Sequence, residues 1–336
     1  GNQLSGSIPS EIGNLTNLSF LQLYDNQLSG ILPSSIGSLS NLTYLRLQNN
    51  QLTGIIPSTL CNLTNVVIMD LSSNNFCQDN TACTDVIDLG DIGTQDPSSC
   101  PTCESSFVPA DGLSCYSQTD LDVLVSFATN SGMGSEYGDV IGLGDQEWGD
   151  GRLVSWDCNS CNLSGSIPSE IGNLSNLETL KLNNNDFQTS IPSEIGDLLN
   201  LTLIHFHQNN LESLIPSQIG NLTKLTVLRL DNNSLSGSIP SEINSLFNLE
   251  TLKLNDNNLD GSIPDISNLE DLIIFNVSYN DLTGLLPNSL CNMSEFDVLG
   301  LLENKFCPPY PDCMTEEDVG DQDNGDCENY CEDGET

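Results

Sequence analysis

Basic residues are nearly absent: 7 Lys+Arg stand against 47 Asp+Glu, a formal net charge of −40 at pH 7. A surface this acidic repels phosphate backbones and anionic lipid, which excludes nucleic-acid and membrane-surface binding as main functions. Histidine is scarcer still, at 2 in 336 residues. No apolar run reaches the roughly 18 residues a membrane-crossing helix needs, so no membrane insertion is expected. Residue 1 is Gly and no secretory leader is legible; the expectation is that any exporting or anchoring segment has been removed. What is present suits a folded chain. Hydrophobic residues make 37% before 27 glycines are counted, enough for a core in about two domains.

A repeat organises most of the chain. An aliphatic residue precedes Pro9, Pro33 and Pro57, then Pro168, Pro192, Pro216, Pro240 and Pro264 in steps of 24, and Pro287 after 23. One unit, Asn173 to Gly196, reads NLSNLETLKLNNNDFQTSIPSEIG. Its apolar positions, Leu177, Leu180, Leu182 and Phe187, alternate only long enough for one short strand. Asn185, Asn209, Asn233 and Asn257 follow the strands, where an amide bonds the backbone as the chain turns inward. A unit this short cannot bury its own apolar edge, so neighbours must stack into a solenoid. The pattern resembles the plant-type leucine-rich repeat, LxxLxLxxNxLxGxIPxxIGxL; LTYLRLQNNQLTGIIPSTLCNL and LTVLRLDNNSLSGSIPSEINSL match nearly every position. The resemblance implies an α/β solenoid, a leucine-rich repeat superhelix with a parallel concave β-sheet, in two arrays joined by a cysteine-rich linker.

Residues 1–83 read as the C-terminal part of the first array with its cysteine cap, and 84–114 as an acidic, cysteine-rich linker. Residues 115–161 read as the N-terminal cap of the second array, 162–313 as that array and its cap, and 314–336 as an acidic cysteine-containing tail. The caps rest on a duplication: Cys61, Cys77 and Cys83 are spaced 16 then 6, as are Cys291, Cys307 and Cys313. TDLDVLVSFATN sets Leu121, Leu124, Val125 and Ala128 at i, i+3, i+4 and i+7, a short amphipathic helix. Followed by GRLVSWDCNSCNLSGSIP, it looks like the family's N-terminal cap. Cys158 and Cys161 there replace a strand Leu and the turn Asn, which suggests a disulfide.

Thirteen cysteines is an odd number. If Cys100 and Cys103 match Cys327 and Cys331, the equivalent of Cys115 would lie beyond Thr336, and Gly1 opens in mid-repeat. The expectation is a segment of a tandem array with a period near 230 residues; the simpler alternative is one unpaired thiol. Zinc usually shows as two close pairs with regular His or Cys partners. The duplicated caps favour disulfides instead, and with them an extracellular location, secreted or at a cell wall or surface. Sequons at Asn14, Asn17, Asn41, Asn62, Asn162, Asn173, Asn200, Asn221, Asn232, Asn276 and Asn292 agree with that compartment. Many fall in GNLT or GNLS, on the outer side of each turn.

No catalytic constellation is legible, so no enzyme activity is expected. His205 and His207 flank Phe206 on one strand and share an exposed face, with Lys181, Asn183, Arg229 and Asp231 on adjacent strands; that is not a metal site. Cations are more informative. Lys181, His205, Arg229 and Lys253 recur every 24 residues between the two strand leucines, at the centre of the concave sheet, and Arg46 holds the same place in the first array. Local pairing with Glu178, Glu250, Asp231 and Asp256 competes with a binding role. If the column binds, it receives an anionic polysaccharide or an acidic peptide. DQDNGD, Asp321 to Asp326, faintly resembles a calcium loop, but Gly325 stands where an acid belongs; calcium is the one cofactor to weigh, and none is expected.

The leading expectation is a structural, non-enzymatic, glycosylated protein whose modules assemble end to end, with neighbouring copies as partners, into a filament or surface layer. The alternative is a recognition module: resemblance to plant receptor ectodomains and polygalacturonase-inhibiting proteins implies a peptide or cell-wall glycan on the concave face. Exposed aromatics would mark such a face, and Tyr24, Tyr44 and Tyr279 are few and scattered.

Overall fold

The computed structural model describes residues 2–54, 56–76, 106–108, 114–133, 137–292, 296–323 and 327. Expectations for the linker at 84–105, and for Cys77, Cys83, Cys100, Cys103 and Cys331, fall outside them. The chain divides into two compact units, Gly1–Leu143 with Trp148–Arg152, and Gly144–Glu147 with Leu153–Thr336.

The second unit is a leucine-rich repeat solenoid. Its main sheet has eight strands, and the seven from Arg152–Asp157 onward run parallel: Thr179–Lys181, Leu203–His205, Val227–Arg229, Thr251–Lys253, Ile274–Asn276 and Val298–Gly300 follow in order. Alternation sends the middle residue of each strand inward and its neighbours outward. Leu180, Ile204, Leu228 and Leu252 are accordingly buried, and Leu177, Leu182, Phe187 and Ile195 complete the core of one turn. On the opposite side each turn closes with a short 3-10 helix, such as Ser193–Asp197 or Ser217–Asn221. Pro192 and Pro216 precede these helices with φ of −67° and −66°, near the angle the ring imposes and where no N–H is needed.

Asparagine ladders join the turns. Asn209 Nδ2 donates to Leu182 O and Phe206 O, both at 3.0 Å, while its Oδ1 accepts from Phe187 N at 3.3 Å. The residue before each such Asn is left-handed, from Asn184 (φ 56°) and Gln208 (55°) to Tyr279 (56°). Glycine serves a different need, close approach. A Cβ on Gly196 would lie 2.5 Å from Gln218 O, and one on Gly220 would lie 2.5 Å from Glu242 O. The next equivalent is Asn244, which faces the shortened turn after Pro264, where no 3-10 helix forms; its Oδ1 there accepts from Asn268 N at 2.9 Å. Gly196→Ala should therefore destabilise the second unit by about 1–3 kcal/mol through backbone overlap, read as a lower urea midpoint. An unchanged midpoint would show that the turns slide apart freely.

At the array's end Cys291 takes that glycine position and is bonded to Cys313, while Cys307 is bonded to Cys327. The start of the tail is built onto this end. Thr315 caps the short helix Glu316–Val319, and Gln322 Nε2 donates to Leu301 O at 2.9 Å and Val319 O at 3.0 Å.

The first unit repeats the design with parallel strands Phe20–Gln22, Tyr44–Arg46 and Ile68–Asp70. The expected helix is present as Gln118–Asn130, starting at Ser117, whose hydroxyl accepts from Asp120 N at 3.3 Å. It buries Leu121, Leu124 and Ala128 as expected and Val123 and Phe127 besides, while Val125 is half-buried. Asp120 is fully buried, and Arg152 meets it with Nη2 at 2.8 Å from Oδ1 and Nε at 2.9 Å from Oδ2.

Candidate binding face

Strand register builds the expected column. Asp157, Lys181, His205, Arg229, Lys253, Asn276 and Gly300 are successive partners across the sheet of the second unit, which puts neighbouring side chains on strands about 4.8 Å apart. Arg46 holds the same place in the first unit, between Gln22 and Asp70.

The column's cations are not equally committed. Lys181 Nζ sits 2.8 Å from Asp157 Oδ2, and both side chains keep about a third of their exposure, so the pair contributes little. Partial burial opposes ionisation of Asp157, but hydrogen bonds from Lys181 and the Asn159 N–H, with the Lys181 and His205 charges, outweigh it and hold the carboxyl below its usual value. Arg229 forks onto Asp231, with Nε–Oδ1 3.1 Å and Nη2–Oδ2 3.0 Å, and that carboxylate side chain is only 6% exposed. Glu178, Glu250 and Asp256 form no ion pair with the column. Lys253 has no acidic group within 4.0 Å among the described residues, which leaves its ammonium open to a ligand.

The two histidines depart from expectation. His205 is half-buried on the column, but His207 is buried rather than exposed. Their rings stand edge to face with centroids 5.3 Å apart. Burial first, then the charges of His207, Arg229 and Lys181, push the His205 imidazole down to about 4, against an opposing Asp231. Burial, Arg229 and Lys253 lower His207 as well. In the unfolded chain His205 regains its ordinary value of 6.5 and binds protons the folded state refuses, so the stability present above pH 6.5 is lost as pH falls toward 4. His205→Gln should flatten the fall of the thermal midpoint between pH 6.5 and pH 4.5. An identical slope in the variant would rule out this assignment.

Beside the cations runs a line the sequence did not disclose. Among the described residues four buried side-chain atoms find no hydrogen-bond partner: Gln48 Oε1, Asn183 Oδ1, His207 Nδ1 and Asn255 Oδ1. Each lies two residues after a column position, at Arg46, Lys181, His205 and Lys253. Leaving such a group unmet costs about 1–3 kcal/mol, and Asn183, His207 and Asn255 share one repeat position beside the column of the second unit. On the cations' other flank, Leu203, Val227 and Ile274 are half-buried and Val298 is 41% exposed. Register makes Thr179, Leu203, Val227, Thr251, Ile274 and Val298 a mostly apolar column.

In the first unit the same apolar position holds Phe20, Tyr44 and Ile68 in register. Phe20 and Tyr44 stack with centroids 4.9 Å apart, so Tyr44 is not a scattered aromatic.

Of the sequons, Asn14, Asn62, Asn173 and Asn221 end 3-10 helices and are exposed, and the Asn292 side chain falls outside the described set. Asn17, Asn41, Asn162 and Asn232 are exposed and Asn200 is half-buried. Asn276 lies on the concave strand beside Lys253, not on the outer side. Cys158 and Cys161 are bonded to each other, and Cys61 and Cys115 are also disulfide-bonded. Of the calcium-like loop, residues 324–326 fall outside the described set. Among the described residues no group of three His, Cys, Asp or Glu is placed to hold a metal, and no helix is long and apolar enough to cross a membrane. No described feature supports an end-to-end contact between copies.

Leucine rich repeat models match residues 2–76, and again 176–198, 224–246, 248–269 and 271–293. No curated protein matches the chain. Among solved structures it resembles the leucine-rich repeat ectodomain of the plant membrane receptor kinase GASSHO1/SCHENGEN3 from Arabidopsis thaliana, solved with CASPARIAN STRIP INTEGRITY FACTOR 2. Identity there is 29% over 91% of this chain and 35% of that one, with a TM-score of 0.44. It also resembles the Arabidopsis receptor kinase HAESA, solved with the peptide hormone IDA and the co-receptor SERK1, at 26% identity over 91% of this chain and 37% of that one, TM-score 0.43. The ectodomain of the receptor kinase SOBIR1 from Arabidopsis thaliana matches at 27% identity over 50% of this chain and 97% of that one, TM-score 0.41. The chain thus spans 35% and 37% of the first two receptors' lengths.

Proposed function

We propose that the protein is an extracellular, non-enzymatic recognition module that binds an acidic, extended peptide across the concave sheet of its second solenoid. The layout that goes with this reading is two plant-type arrays of 24-residue units with cysteine caps, N-glycosylated on their outer turns. The observation that carries it is the side-by-side placement of three lines on one face. Apolar side chains run along one flank, cations along the centre, and unmet acceptors along the other. An acidic peptide supplies apolar side chains, carboxylates and main-chain N–H donors together. A uronate glycan supplies carboxylates and hydroxyls but little for the apolar line.

Charge complementarity makes Lys253 the residue to change, because Arg229 is held by Asp231 and its loss would strand a buried carboxylate. The probe is an octapeptide alternating leucine with cysteic acid, whose charge stays constant across the useful pH range. Calorimetry should show binding to the intact chain and a loss of about tenfold or more in Lys253→Glu, with the thermal midpoint unchanged. Equal affinity in the variant removes the column from the site, and preference for an oligogalacturonate of equal charge moves the ligand to a glycan.

A further inference from the structure

We propose that His205 and His207 couple ligand capture on this face to proton uptake, so that the recognition site tightens its hold as the surroundings acidify. The inference rests on the peptide-binding reading and adds its regulation. His205 stands in register between Lys181 and Arg229, with Asp157 beyond Lys181. His207 lies one line over, between Asn183 and Asp231, and Arg229 on the next strand and Lys253 on the strand after it act on it. Four positively charged or protonatable neighbours therefore oppose a fifth charge, and among the described residues Asp157 and Asp231 answer them, each already engaged by Lys181 or Arg229. Burial first, and these charges with it, keep both imidazoles neutral on the ligand-free face.

An anion laid along the column reverses the balance. It brings negative charge beside His205 and offers an acceptor to a protonated ring. His207 Nδ1 is buried and without a partner, so a proton gained there needs an acceptor that the ligand-free face does not supply. A neutral ring offers one uncharged donor, whereas a protonated one offers two charge-assisted donors to the anion. Binding and protonation are thus linked reciprocally: the anion raises the proton affinity of the pair, and protons raise the affinity for the anion.

The test uses the constant-charge octapeptide with the full chain, titrated calorimetrically from pH 7.5 to pH 5. Affinity should rise by up to about tenfold per pH unit for each proton taken up, with the steepest gain below pH 6.5. General loss of negative charge on acidification affects the His205→Gln, His207→Gln variant equally, so the inference is read from the difference between the two slopes. Because His207 is buried, the same titration on the unaltered chain in two buffers of different ionisation enthalpy counts protons directly. Uptake of about half a proton or more at pH 5.5, absent at pH 7.5, is the expected result. Binding that is independent of pH and takes up no proton overturns this inference alone, and absence of binding at every pH overturns the recognition reading along with it.

Discussion

Arg152→Met is expected to lower the stability of the first unit by about 3–5 kcal/mol, the largest effect of any single change described above. Met replaces the apolar stem of Arg and omits the guanidinium, so the loss is chiefly electrostatic. Asp120 is fully buried at the start of the Gln118–Asn130 helix and receives both Nε and Nη2 of Arg152. Removing the guanidinium takes the opposite charge away from a fully buried carboxylate, which keeps Ser117 Oγ at 3.2 Å among its contacts. Changing both partners, with Asp120→Leu added, should recover much of the loss, since a matched apolar pair avoids desolvating either charge. Urea unfolding of the two variants checks this. If the single variant is as stable as the parent, the pair is dispensable and the helix is held by Leu121, Leu124 and Phe127 alone.

Asn209→Leu should cost about 1–3 kcal/mol in the second unit. The substitution keeps the branched shape with a larger side chain, but it removes the acceptor for Phe187 N and one of two ladder donors on each of Leu182 O and Phe206 O, which keep Asn185 Nδ2 and Asn233 Nδ2 at 3.0 Å. The cost is the lost ladder bonds of one buried amide, offset in part by the neighbouring rungs. Asn209→Asp is the informative companion: it retains the acceptor for Phe187 N and loses the donors for both carbonyls. A denaturant midpoint for Asp between those of Asn and Leu would apportion the ladder, whereas a Leu variant indistinguishable from the parent would mean water replaces the amide freely.

The repeat explains what the sequence disclosed and what it concealed. A fixed step of 24 residues sets strand register, so Lys181, His205, Arg229 and Lys253 were bound to align, and so were Asn185, Asn209, Asn233 and Asn257. Contacts with no periodic relation stayed hidden. Arg152 and Asp120 come from the opening strand and a helix outside the repeat, and nothing in their spacing pairs them. Asp157, the partner of Lys181, does stand one period before it, but in the strand that precedes the first full unit, and Glu178 lay nearer in sequence. Burial also misled. His207 occupies a position that alternation marks as outward, yet neighbouring turns cover it, and the same covering creates the line of unmet acceptors at Asn183 and Asn255.

The ladder has a direction. Each asparagine oxygen accepts the amide proton of a residue in the turn before it: Asn185 from Leu163, Asn209 from Phe187, Asn233 from Leu211, Asn257 from Leu235, Asn280 from Leu259 and Asn304 from Leu282. An amide of this set is shielded from solvent deuterium only while its successor turn stays docked. Erosion from the Asn304 end therefore bares Leu282 first, then Leu259, then Leu235, in single-turn steps. Those six amides form a built-in gauge of how far a stack that depends on nearest neighbours has frayed, and from which end.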